Sequence, residues 1–89
     1  MSRAAWHFED LGDVIAIWDD YSGTEMTVTN DAETVIEELA ERVDLKGKKV
    51  IYRDTGGIWD ELVVKDGRFA DFRCISATSL KEAIATVRG

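Results

Sequence analysis

The sequence predicts one α+β domain over residues 1–89, a mainly antiparallel sheet of about five strands with two helices on one face. Three observations lead there. Short β-rich runs are bounded by Gly, Asp, Asn and Ser; two stretches carry a capping box followed by apolar residues spaced three and four apart; and Asp66-Gly67 is a favoured two-residue hairpin turn.

The elements follow in the order ββαβββα. Asp13 to Trp18 is the first strand, Asp19 to Gly23 has turn chemistry, and Glu25 to Thr29 alternates polar and apolar, which together read as a hairpin. Asn30 with Glu33 opens a helix whose apolar side is Ala32, Val35, Ile36, Leu39, Ala40 and Val43, with Gly47 as a left-handed stop. Val50–Tyr52, Trp59–Val64 and Phe69–Ile75 read as three strands. Ser79 with Glu82 then caps a last helix, with Leu80, Ala83, Ile84 and Val87 inward.

With Gly56-Gly57 and Asp66-Gly67 as two-residue loops, Val50, Tyr52, Trp59, Val63, Ala70, Phe72 and Cys74 share one face. Arg53, Asp60 and Arg73 form a charge ladder on the other. Glu61 falls on the apolar face between Tyr52 and Phe72. Desolvated there, it is a candidate acid or base; at a sheet margin or a bulge it is an ordinary solvated carboxylate.

Charge is divided along the chain. Residues 1–44 hold twelve Asp and Glu against two Arg, residues 45–89 nine Lys and Arg against six acids, and the net charge is −7. An acidic surface repels phosphate backbones and anionic lipid, so direct nucleic-acid binding and membrane binding are not expected, and a basic protein surface is the natural partner. Glu33, Glu37 and Glu41 recur every four residues as one helix stripe, flanked by Glu38 and Asp44 and extended by Asp19 and Asp20 if the first hairpin lies alongside. At a rise of about 1.5 Å per residue, successive stripe carboxylates stand about 6 Å apart along the axis, comparable with phosphate spacing on one nucleic-acid strand.

These features point to a non-enzymatic protein-interaction module. Its sharper form is a nucleic-acid mimic that blocks a nucleic-acid-binding complex, similar in size and charge to small phage-encoded anti-defence inhibitors. A second reading is a small acid–base or hydrolytic enzyme using Glu61 or Asp54. A third is a homo-oligomer joined by acidic-to-basic contacts.

Other motifs carry less. Asp54-Thr55-Gly56 after Val50-Ile51-Tyr52 resembles the Asp-Thr-Gly of retroviral-type aspartic proteases, which implies a dimer pairing two such aspartates. That family is nearly all-β and has a later apolar-apolar-Gly segment that this chain lacks. Lys46-Gly47-Lys48-Lys49 runs from helix into strand, the reverse of a phosphate loop. Tyr52, Trp59 and Phe72 near several cations could form a base-stacking sheet only if left bare, so they are expected in the core. His7 is the sole histidine and no Asp-x-Asp-x-Asp-Gly loop occurs, so neither metal nor cofactor is expected. Cys74 is alone, which suits a reducing, cytoplasmic location and a small core residue. The start shows no apolar leader of the secretory kind.

Overall fold

A computed structural model describes residues 6–19, 32–53 and 56–89. Five strands form one sheet in the spatial order of the sequence: Trp6–Asp10 (β1), Val14–Asp19 (β2), Lys49–Arg53 (β3), Trp59–Lys65 (β4) and Arg68–Ala77 (β5). All neighbours are antiparallel except β2 and β3, which run parallel and are separated in the chain by the helix Ala32–Arg42 (α1). The helix Leu80–Arg88 (α2) closes the chain. This is the α+β class and the element order that the sequence predicts.

Alternation along β2 divides the core in two. Ile15 and Ile17, with Val50, Tyr52 and Leu62, meet Ala32, Val35, Ile36 and Leu39 of α1. Val14 and Ala16, with Ile51, Trp59 and Ala77, meet Ala83 and Val87 of α2. Successive side chains of a strand point to opposite faces, so each helix covers its own face of the sheet rather than both sharing one. Every position of β2 from Val14 to Ile17 is fully buried, the pattern of a strand covered on both sides.

The first hairpin differs from expectation. Strand β2 is the expected Asp13–Trp18 run, but its antiparallel partner is β1, with Phe8 opposite Ile17, and its other edge is filled by β3. No edge of β2 is left for Glu25–Thr29, which lies outside the described residues together with Asn30 and Asp54. The signal for β1 was present as the alternation Trp6-His7-Phe8-Glu9 before the turn at Gly12, whose φ is +98°.

The register also differs. Arg53 pairs with Trp59, so residues 54–58 connect β3 to β4, where Gly56-Gly57 alone was expected to do so. That one-residue slip exchanges the two faces of β4. Trp59 therefore joins Ile51 on the α2 side while Tyr52 stays on the α1 side, and the single aromatic face is not formed. The Asp66-Gly67 turn is as expected: Lys65 pairs with Arg68, and both turn residues have positive φ, 56° and 76°.

Two irregularities then shift β5. Ala70 is one extra residue between the pairs Val64–Phe69 and Val63–Asp71, and Cys74, Ile75 and Ser76 together face Asp60 alone. The Asp60 carboxylate accepts from the Ile75 and Ser76 amides, both at 3.0 Å, which satisfies the donors that the wider bulge frees. Asp60 is thereby taken out of the expected Arg53–Asp60–Arg73 ladder. Cys74 is exposed on this edge strand, with Sγ 3.3 Å from Ser76 Oγ, instead of lying in the core. Phe72 is 43% exposed, edge-on to Tyr52 and Phe69.

Helix α1 ends at Arg42, and Gly47 (φ +76°) belongs to the turn into β3, where the Lys48 amide donates to Leu45 O. Ala40, expected inward, is exposed; Val43 is half-buried.

Candidate functional site: the acidic helix and the cleft beside it

On α1 the buried residues Ala32, Val35, Ile36 and Leu39 fix which side faces water. Glu33, Glu37 and Glu41 are exposed along that side and Glu38 is half-buried, as the spacing predicts. Asp44 is exposed just beyond the helix, and its Oδ1 accepts from the Lys46 amide at 3.0 Å, closing the turn. Asp19 ends β2, paired in register with Trp6, and Asp20 lies outside the described residues. The described part of the extended acidic set is thus the helix stripe and Asp44. The Arg42 guanidinium is turned back to Glu38 O and lies 5.6 Å from the Trp6 ring centroid, away from the stripe carboxylates.

Most carboxylates elsewhere are employed; among the described residues Glu9 on β1 and Asp66 in the β4–β5 turn are not. Asp10 accepts from the Gly12 amide and from Lys48 Nζ, Asp13 takes a bidentate pair from Arg88 at 2.9 Å, and Glu82 accepts from both the Thr78 amide and its hydroxyl. The Gly12 amide, with Lys48 behind it, holds the Asp10 carboxyl below its ordinary value, and Arg88 does the same for Asp13. Among the described residues, by contrast, no hydrogen bond or ion pair engages the carboxylates of Glu33, Glu37, Glu38 or Glu41. Four like charges on one short helix oppose its formation by a few tenths of a kcal/mol per neighbouring pair.

The division of charge along the chain is partly undone in space. Lys48 reaches across to Asp10 and to Gly12 O, and Arg88 to Asp13, so two cations of the second half are engaged by acids of the first.

Glu61 is 3% exposed, but not between Tyr52 and Phe72. The slip and the Ala70 bulge set it opposite Ile51 and Arg73, and its Oε1 accepts from Arg73 Nη1 at 2.9 Å. It lines a cleft of about 760 Å³ bounded by the end of α1, the turn Asp44–Lys49, and the β4–β5 hairpin at Val63, Val64, Asp66 and Gly67. The sequence places Glu61 on an apolar face but leaves its burial open, and it does not show the partner, because Arg73 is brought to Glu61 by a bulge with no sequence signature of its own.

Among the described residues no group of three or more His, Cys, Asp or Glu is arranged to hold a metal ion, and no helix is long and apolar enough to cross a membrane. Comparison with family models, curated proteins and solved structures finds no match to this chain.

Proposed function

We propose that the protein is a non-enzymatic interaction module that presents the outer face of α1 to a basic protein surface. One observation carries this reading: four carboxylates without a hydrogen bond or ion pair among the described residues stand together on α1, whereas Asp10, Asp13, Asp44, Asp60, Glu61 and Glu82 each hold a backbone amide or a cation. The other unengaged acids among the described residues, Glu9 and Asp66, are single and apart on β1 and the β4–β5 turn. Glu37, Glu38 and Glu41, beyond the first turn that Glu33 occupies, oppose their own helix and bond nothing among the described residues, which suits a contact outside the domain. The sharper form is mimicry of a nucleic-acid strand, supported by the repeat of about 6 Å along the stripe. Head-to-tail assembly through the basic half is weakened as an alternative, because Lys48 and Arg88 are already engaged within the chain.

The test is affinity capture from nuclease-treated cell lysate, comparing the wild type with Glu33→Lys, Glu37→Lys and Glu41→Lys combined. The reading predicts a protein retained by the wild type alone and released as salt shortens the screening length from about 10 Å at 0.1 M toward about 3 Å at 1 M. Competition by DNA or RNA supports mimicry. The same proteins on both baits would reject the stripe as a recognition surface.

A further inference from the structure

The cleft beside α1 is a second feature, independent of the acidic stripe. Its volume of about 760 Å³ is that of a small-molecule site. Three chemical facts describe its wall. Val43, Leu45, Val63 and Val64 give it an apolar part. Its ionic groups balance, with Lys46, Lys48 and Lys49 against Asp44, Glu61 and Asp66. Within that balance some groups are spent and others are not. Lys48 is bound to Asp10 and Gly12 O, while Lys46 Nζ and Lys49 Nζ have no ion pair among the described residues. The Glu61 side chain is 4% exposed and bonded through Oε1 only; its Oε2 takes no hydrogen bond from any described residue. A buried carboxylate oxygen without a donor is costly, and a donor arriving through the cleft would relieve that cost.

We propose that the cleft binds a small zwitterion of the amino-acid type. The ammonium group donates to Glu61 Oε2, the aliphatic body lies against Val63, which shares the face of Glu61 in β4, and the carboxylate meets Lys46 or Lys49. A neutral lining disfavours a ligand of large net charge of either sign, and the two kinds of unused group call for opposite charges on one molecule.

The experiment is an amide chemical-shift titration of the full chain with 4-aminobutyrate and 6-aminohexanoate as zwitterions, and with n-butylamine and butyrate as the matched single-charge probes. The proposal predicts shifts at Gly47, Val63, Val64 and Gly67, with a zwitterion binding at least about tenfold more tightly than either matched probe, since each charged hydrogen bond contributes about that factor or more. Glu61→Leu abolishes the ammonium contribution. Lys46→Ala with Lys49→Ala, both at exposed positions that leave the fold intact, abolishes the carboxylate contribution and decides the matter if Glu61→Leu loses the native spectrum. Shifts elsewhere or none, or butyrate or n-butylamine binding as tightly as the zwitterions, would overturn it.

Discussion

Helices α1 and α2 are built alike, eleven and nine residues long, each with one apolar side on its own face of a shared sheet. They differ in what their acids do. In α2 the single first-turn acid, Glu82, closes a capping box: its amide donates to Ser79 Oγ while its carboxylate accepts from Thr78. At the other end Arg88 joins the helix to the β1–β2 turn through Asp13. The α1 acids beyond the first turn hold nothing in the described structure. Acidic side chains here thus fall into two sets, one that completes the fold and one that the described fold does not use.

Breaking either apolar side should have the largest effect. Leu39→Asp on α1 and Ala83→Asp on α2 each put an unpaired charge into a fully buried position, at a cost of more than about 4 kcal/mol, which a domain of this size does not survive. Circular dichroism checks this, and a native spectrum for Leu39→Asp would reject the buried side of α1. Smaller changes separate the two kinds of acid. Ser79→Ala removes the α2 cap and should lower stability by about 1 kcal/mol in denaturant unfolding. Glu33→Gln, Glu37→Gln and Glu41→Gln combined should leave stability unchanged or raise it by a few tenths of a kcal/mol per relieved pair.

The smallest effect is in pH. Asp10 and Asp13 have folded pKa values below the ordinary 3.8 because Gly12 and Arg88 respectively stabilise their charged forms. Their contribution is complete above the ordinary value and is lost as pH falls below it, through the folded values, so stability should decline there. Arg88→Ala should return Asp13 toward 3.8 while leaving Asp10 depressed, which a carboxyl titration by NMR resolves. Equal shifts in both would show that Arg88 acts through the general field.

The same contrast explains what could be read in advance. The Ser79–Glu82 box, the Asp66-Gly67 turn and the α1 stripe are written in residues at most eight apart, and local chemistry decides them. The partner of Glu61 and the exposure of Cys74 depend on bulges in β5, and the wider one is held by Asp60 reaching amides fifteen and sixteen residues away. A single slip in such a strand exchanges faces, and Ala70, Phe72 and Cys74, expected in the core, are exposed on it. Strand β1 was legible in its alternation, but the turn residues after β2 offered a nearer partner.

The most direct test of the central claim joins stability and binding in one variant: the combined Glu33→Gln, Glu37→Gln, Glu41→Gln protein, unfolded in denaturant and used as bait beside the wild type. The account predicts a domain at least as stable as the wild type that no longer retains the protein the wild type captures. A destabilised domain, or an unchanged set of captured proteins, would contradict it.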